Sequence, residues 1–249
     1  CYSMNGRFLE ADRVLAGATD TLHMSRATQA AYYAAQHRQN RECRSQSEPG
    51  AERDRFRACE EYYARRALET TGDISKRFYF AYLVAVDEGD YDRAAAACDS
   101  ALACAPPVSH DYARAAFYRS ETERFRGDEA ARFEWLVRAA MADVQGAVRD
   151  YGALGGVAEE LLRRGDAARA MRCIRVAIND TQAYNSPIRS WRDMAILPQI
   201  EQAYSERNAR LRAMYVALIL LAFLFALSAI GGVLFVLRQN RRLNAVQQT

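Results

Sequence analysis

Residues able to carry chemistry are few and far apart in this sequence of 249 residues. The three histidines, His23, His37 and His110, show neither the HExxH spacing nor another spacing typical of a zinc site. With no partner nearby in the sequence, each is expected to be a surface residue or a helix-end residue. The histidines therefore predict no metal centre.

Acidic pairs and glycine-rich segments are equally poor candidates for catalysis. Glu60–Glu61 and Glu159–Glu160 are adjacent on predicted helices, so the two carboxylates of a pair do not face each other, and we expect both pairs to be solvated. The segment 152–156 (GALGG) precedes no Lys and follows no strand, which favours close helix packing over phosphate binding. The sequence predicts no catalytic residue and no cofactor, so an enzyme is the poorest functional interpretation.

The six cysteines form no CxxC pair, which argues against a zinc cluster or a thioredoxin-like site. Cys98 and Cys173 fall at apolar helix positions and are expected to be buried free thiols. Cys98 and Cys104 would be separated by about 9 Å of helix rise, too far for a disulfide. We expect no intrachain disulfide that the fold requires. Cys1 is open to two interpretations, a cut site and a lipidated N-terminus.

The charge pattern gives no support for a nucleic-acid partner. The formal net charge is only +3. A nucleic-acid-binding protein typically shows a basic stripe interleaved with aromatic residues, and this sequence has none. We therefore expect no nucleic acid to bind within this chain.

One stretch, residues 213–237, contains no charged side chain. As a helix it would be roughly 37 Å long, and the core of a bilayer is about 30 Å thick. A buried helix of a soluble protein would need a polar side, which this stretch lacks. We predict a transmembrane helix at 213–237, a juxtamembrane helix at 205–212, a short basic tail at 238–249 and a separate domain at 1–204.

Small residues recur on one face of the predicted span. Two interpretations follow: a lone lipid-facing helix, and self-association into a homodimer, because small residues let helix backbones approach closely in lipid. The small-residue face consists of Ala222, Ala226, Ala229 and Gly232.

A repeat with a period of 38 residues organises the region before the span. Gly89-Asp90, Gly127-Asp128 and Gly165-Asp166 recur at this interval, and Gly6 opens a fourth copy. Positions five, nine and twelve after each Gly lie on one helical face, where small residues would let two helices cross closely. The predicted repeat-packing residues are Gly6, Ala11, Leu15, Ala18, Gly89, Ala94, Cys98, Ala101, Gly127, Leu136, Ala139, Gly165, Ala170, Ile174 and Ala177.

Each Gly-Asp pair predicts the turn of a helix-turn-helix unit, with the Asp as N-cap of the second helix. A helical hairpin outside the 38-residue period is predicted before them, and a final helix is expected to kink or break at Pro198. The predicted helices are 25–41, 53–70, 73–87, 91–104, 109–126, 129–144, 150–164 and 167–183, with a polar loop at 44–50.

The second helix of the best copy resembles a tetratricopeptide repeat (TPR), whose pattern is Gly-x-Tyr-x-x-Ala-x-x-x-aromatic-x-x-Ala with a following Pro. The predicted fold is therefore all-α: a TPR-like α-solenoid of antiparallel helix pairs, followed by a single transmembrane helix. A TPR-like solenoid implies a groove for a protein or peptide ligand. The residues that match the pattern, with one substitution, are Gly89, Tyr91, Ala94, Cys98, Ala101 and Pro106.

Residues 133–204 and the following span resemble a family of Bacteroidetes-type membrane proteins, a domain of unknown function in which degenerate TPRs precede one transmembrane helix. The resemblance implies an exported repeat region and a cytoplasmic part that often carries a DNA-binding or signalling module. This chain stops at Thr249 without such a part, and we expect the natural protein to continue. The matching segments are 140–144 (AMADV), 161–166 (LLRRGD), 170–174 (AMRCI), 185–189 (NSPIR) and 196–204 (ILPQIEQAY).

Two functional hypotheses remain. The first is a membrane-anchored sensor of a bacterial signalling or transcription-regulatory protein, which binds a protein, peptide or glycan-derived ligand outside and signals through one span. The second is a tail-anchored scaffold that presents its groove in the cytosol. Arginines flank the span equally on both sides, so charge alone does not orient it. The family resemblance implies a single-pass inner-membrane protein with periplasmic repeats and a cytoplasmic tail.

Overall fold

The computed structural model describes residues 7–18, 21–147, 152–183 and 187–247, and these residues form an all-α fold without a strand. A 3-10 turn at Thr21–His23 follows the first helix. The helices are α1 (Phe8–Ala16), α2 (Arg26–Gln46), α3 (Ala51–Thr70), α4 (Ile74–Asp87), α5 (Tyr91–Cys104), α6 (His110–Arg126), α7 (Glu129–Gln145), α8 (Gly152–Arg163), α9 (Ala167–Ala183) and α10 (Pro187–Gln247).

The Gly-Asp turns have the geometry that the sequence predicts. Gly127 has a φ of +78°, a left-handed conformation that glycine adopts without steric cost. The amide of Asp128 donates to the Glu123 carbonyl at 3.0 Å, which closes the C-terminus of α6. The Asp128 carboxylate then accepts an amide hydrogen bond and caps α7. The turns at Gly89-Asp90 and Gly165-Asp166 repeat the left-handed glycine, the closing hydrogen bond and the aspartate cap.

Helices pack as consecutive pairs, α2 with α3, α4 with α5, α6 with α7 and α8 with α9, and successive pairs contact one another through α3 and α4, α5 and α6, and α7 and α8. The α7–α8 approach is especially close. A Cβ atom added to Gly156 of α8 would lie 3.2 Å from Cδ2 of Leu136 in α7. The close-packing interpretation of segment 152–156 is thus confirmed at Gly156.

Most of the predicted repeat-packing residues are buried within this stack. Leu15, Ala18 and Ala101 are only partly buried, the turn glycines Gly89, Gly127 and Gly165 are exposed, and Gly6 lies outside the described residues. That helix packing at the predicted positions depends on small side chains stays a prediction. The buried members are Ala11, Ala94, Cys98, Leu136, Ala139, Ala170, Ile174 and Ala177.

Three local expectations are corrected. Helix α2 continues to Gln46, so the polar loop expected at 44–50 begins only at Ser47. Ala18 lies beyond the end of α1, because that helix stops at Ala16 with Gly17 as its C-cap, and it is therefore not on the helical face of the other copies. Of the two outcomes expected at Pro198, a kink or a break, the break does not occur, since α10 is helical on both sides of it.

The chain divides into two compact units, Cys1–Ile200 and Glu201–Thr249. In the second unit, every side chain from 213 to 237 is exposed. The segment Met194–Arg238 has a mean hydropathy of 2.7 over its most apolar window and is long enough to cross a membrane. By length and composition α10 therefore contains one candidate transmembrane segment.

Candidate ligand-binding cavity

A cavity of about 110 Å³ lies between α4, α5 and α6, within the first compact unit, Cys1–Ile200, which is called the repeat unit from here on. Its volume approaches that of the roughly 150 Å³ engineered cavities that bind benzene. Its lining combines apolar side chains, three tyrosines, and polar side chains near the starts of α4 and α6. The lining residues are Ile74, Ser75, Phe78, Tyr79, Tyr82, Ala97, Cys98, Ala101, Cys104, Ala105, Pro106, Asp111, Arg114, Ala115 and Tyr118.

The cavity exists because α5 presents small side chains to two helices with large ones. Ala97 and Ala101 line the cavity together with Phe78 and Tyr82 of α4. Ala101 was predicted to be a close-crossing residue, yet it lines the cavity and is partly exposed. Space beside Ala101, rather than tight contact, is therefore what the small side chain provides.

Three tyrosines form the aromatic wall. The ring of Tyr118 lies 5.3 Å from that of Tyr79 and 4.6 Å from that of Tyr82, between centroids. Burial raises the pKa of both Tyr79 and Tyr82 far above the usual range. Both phenols are therefore protonated at neutral pH, and the Tyr79 hydroxyl is also hydrogen-bonded to Tyr118.

Two arginines support this wall. Nη1 of Arg41, in α2, donates to the Tyr79 hydroxyl at 3.1 Å. Nη2 of Arg114, in α6, donates at 2.8 Å both to Ser75 Oγ and to Asp111 Oδ1, and its guanidinium lies 5.6 Å from the centre of the Tyr79 ring. Arg41 and Arg114 thus tie α2, α4 and α6 together beside the cavity.

A buried polar cluster adjoins Arg41 and corrects two expectations. His37 was expected at the surface, but only 3% of it is exposed, because its ring packs edge-on against Tyr79 and Phe80. Glu60 was expected to be solvated, but its side chain is 13% exposed and lies 2.7 Å from Nε of Arg44 and 3.8 Å from Nε2 of His37. His37 is buried because its ring reaches the aromatic side chains of α4, and Glu60 is paired because α2 continues past its predicted end to include Arg44.

Protonation in this cluster is set by burial. Burial lowers the pKa of His37 to about 3, and the positive charges of Arg41, Arg38 and Arg44 act in the same direction. Burial also raises the pKa of the Glu60 carboxyl, against the opposing effect of Arg44. His37 is therefore neutral at physiological pH.

Glu160 is a further correction among the predicted solvated carboxylates. Its side chain is 7% exposed and accepts hydrogen bonds from Arg163 and Arg164 at 2.6 Å. Burial acts to raise its pKa, but these two guanidinium groups outweigh burial and lower it. Glu160 therefore belongs to an ion-pair network at the end of α8.

The predicted residues meet the cavity at two points only, Cys98 and Ala101. The other described packing residues lie elsewhere in the stack, and the small-residue face lies in the second unit. Sequence reasoning missed Tyr79 and the other polar lining residues, as well as Arg41, which does not line the cavity but donates to the Tyr79 hydroxyl. Aromatic residues nine or ten positions before Gly89 and Gly127 were the available signal, since Tyr79 and Tyr118 occupy those positions.

Among the described residues, no cluster of His, Cys, Asp or Glu has the grouping of a metal site. The five cysteines in the described ranges are free thiols; Cys98 is buried as expected, whereas Cys173 is only partly buried. Burial raises the pKa of Cys98 to about 12, so that it is protonated and unreactive at neutral pH.

The fold and the cavity together define a TPR-type helical repeat protein with one candidate membrane-spanning helix. The model of the SusR N-terminal TPR domain family matches residues 1–194. The chain belongs to this family. No curated protein and no solved structure gives a significant match.

Proposed function

We propose that the chain is a membrane-anchored sensor module. Its repeat unit binds a protein, peptide or glycan-derived ligand outside the inner membrane, and its span conveys the bound state to the cytoplasmic side. The observation that carries the proposal is that one chain combines an open cavity, lined by tyrosines and Arg114, with a helix that has an uncharged, exposed stretch at 213–237. A cavity with convergent polar groups is the usual form of a ligand site.

A tail-anchored scaffold is the second candidate. A TPR-type repeat presents surfaces suited to protein partners, and a scaffold needs no communication across the membrane. The uncharged stretch serves either function as an anchor. The side of the membrane that the repeats occupy separates the two, because a sensor of external ligands must face outward.

The topology of the chain is therefore the test of the proposal. We expect protease added to spheroplasts to digest the repeat unit, because the proposed orientation leaves it in the periplasm. The positive-inside rule gives no preference. Equal numbers of arginines flank the stretch 213–237: Arg207, Arg210 and Arg212 before it, and Arg238, Arg241 and Arg242 after it.

Digestion is followed with an antibody against the repeats, and a cytoplasmic protein serves as the control for intact inner membranes. Complete protection of the repeats in intact spheroplasts, with digestion after lysis, would reverse the orientation. That result would favour the cytosolic scaffold over the sensor.

Self-association of the span is a further prediction of the sensor hypothesis. A single helix cannot report a ligand by itself, whereas a pair can change its spacing or rotation if the ligand binds the two dimer states differently. Ala226→Leu and Gly232→Leu should each weaken dimers in a bacterial membrane two-hybrid assay, since larger side chains keep the backbones apart.

Leu220→Ala is the matched control, because Leu220 is not part of the small-residue face and removing bulk there leaves that face unchanged. We expect this variant to associate like the parent. Equal association of the parent and all three variants would show that the span is only an anchor.

A further inference from the structure

We infer that the α4–α5–α6 cavity binds one neutral apolar group of the size of a Leu or Phe side chain, and that it excludes acids and sugars. The inference rests on the proposed function, since it narrows the classes of ligand that the repeat unit would bind. The entrance, the volume, the charge balance and the hydrogen bonds of the lining residues support it in turn.

The cavity opens where α4 and α6 begin and α5 ends. The lining residues at this end are exposed: Ile74 at the start of α4, Cys104 at the end of α5 and Pro106 shortly after it. Lining residues further along the helices, such as Tyr82 and Ala97, are buried. A ligand group can therefore enter from solvent beside Ile74 and reach a buried inner end.

The volume limits the ligand group to one small ring or one branched chain. It is about 110 Å³, somewhat less than the roughly 150 Å³ of engineered apolar cavities that bind benzene. The side chains of Phe78, Ala97, Ala101 and Ala115 in the lining offer no hydrogen bond. An apolar group is therefore favoured beside them over a polar one.

The lining carries no net charge. Arg114 and Asp111 are the charged residues among those that line the cavity, and they pair with each other at 2.8 Å. The raised pKa values of Tyr79, Tyr82 and Cys98 keep these groups uncharged at neutral pH. An acid or an amine would therefore lose its hydration without gaining an opposite charge that is free to pair with it.

Polar side chains of the lining are largely occupied by hydrogen bonds to one another. Ser75 Oγ accepts from Arg114 at 2.8 Å, and the hydroxyls of Tyr79 and Tyr118 are hydrogen-bonded to each other. A sugar ring presents several hydroxyl groups, so that even with Tyr82 as a further partner most of them would be buried without a hydrogen bond. An apolar group needs no such partner.

The same chemistry is available from two sources, a side chain of a protein or peptide and a small free compound. The test uses the full chain in detergent micelles and equilibrium dialysis with toluene, which has the body of a Phe side chain, with benzoate and with glucose. Uptake by the micelles is measured without protein and subtracted. We expect saturable binding of toluene, binding of benzoate at least ~10-fold weaker, and no saturable binding of glucose.

A second arm distinguishes the two sources. The uncharged peptide acetyl-Ala-Phe-Ala-amide is compared with toluene, and acetyl-Ala-Ala-Ala-amide serves as its control. Binding of the Phe peptide at least as tight as that of toluene would assign the cavity to a side chain of a protein or peptide. Tighter binding of toluene would assign it to a small free compound.

Ala101→Leu fills the cavity from a partly exposed position, and it should weaken the binding of toluene at least ~10-fold with little change in Tm. Ala103→Leu is the matched control, because it adds the same side chain to the same helix at an exposed position that does not line the cavity. Its binding of toluene should equal that of the parent. If Ala101→Leu lowers the Tm, the preference of the parent for toluene over benzoate decides alone.

Binding of benzoate or glucose as tight as that of toluene, parent-like binding of toluene by a folded Ala101→Leu, or no saturable binding of any probe would each overturn the inference. The protease experiment reports only the side of the membrane on which the repeats lie. None of these results would alter its outcome, so failure here is distinguishable from failure of the proposed function.

Discussion

Replacement of Ala139 by Trp is expected to destabilise the repeat unit by roughly 1–3 kcal/mol or more. Ala139 is 0% exposed in α7. This helix contacts both α6 and α8, and its Leu136 side chain already touches Gly156 closely. An indole has no free volume to enter there, so the helices must separate. Thermal unfolding of the full chain in micelles should show a Tm lower by about 2–4 °C for each kcal/mol lost.

Ala101→Trp is the informative comparison. The repeat pattern places Ala101 and Ala139 at equivalent positions, and on sequence grounds both substitutions should overpack a helix crossing. The structure separates them, because Ala101 lines the cavity and a larger side chain can enter that space. Ala101→Trp should therefore lower the free energy of unfolding clearly less than Ala139→Trp does. A parent-like Tm for Ala139→Trp would show that close crossing at this position is not needed.

The repeats could be predicted from the sequence because their signal is local. A left-handed Gly followed by a capping Asp defines the end of one helix and the start of the next within a few residues. Gly127 and Asp128 illustrate this, since the bounds predicted for α6 and α7 differ from those observed by one residue at most. The all-α fold followed from the same signal.

The uncharged stretch was equally accessible, because its length and lack of charge are read directly from the sequence. Pro198 is the counterexample among local rules. A proline removes one backbone donor, yet α10 continues through it, and Ile200 just beyond is fully buried. Local propensity was outweighed there by the helix on either side.

The cavity could not be predicted, because it depends on contacts between residues far apart in the chain. Arg41 meets Tyr79 only because α2 and α4 both pack against α3, and the α2–α3 hairpin falls outside the 38-residue period that revealed the other pairs. An alanine that recurs at one position of the repeat likewise does not distinguish a tight helix crossing from an open space. Ala101 and Ala139 carry the same signal and have different surroundings.

The burial of His37 likewise could not be predicted from the sequence. It leads to the second large expected effect, a loss of folding stability in mild acid that this one residue causes. The folded pKa of His37 is about 3 and the ordinary value is 6.5, because burial disfavours the charged imidazole. Between these values the unfolded chain binds more protons than the folded chain, so stability falls as pH falls. The contribution of neutral His37 to the free energy of unfolding is complete above pH 6.5 and is lost progressively toward pH 3.

The slope at His37 approaches about 1.4 kcal/mol per pH unit, and over the whole window the loss is at most roughly 4–5 kcal/mol. The raised pKa of Glu60 acts in the opposite sense, since the folded chain then retains a proton as pH rises.

The measurement is therefore a difference between the parent and His37→Phe, which keeps a ring against Tyr79 and Phe80 but cannot titrate. Urea unfolding of the full chain in micelles, followed by circular dichroism from pH 7 to pH 4, should show the parent losing stability faster than His37→Phe. Parallel pH profiles for the two proteins would mean that the pKa of His37 is the same in the folded and the unfolded chain, as it would be if the protonated imidazole paired with the Glu60 carboxylate.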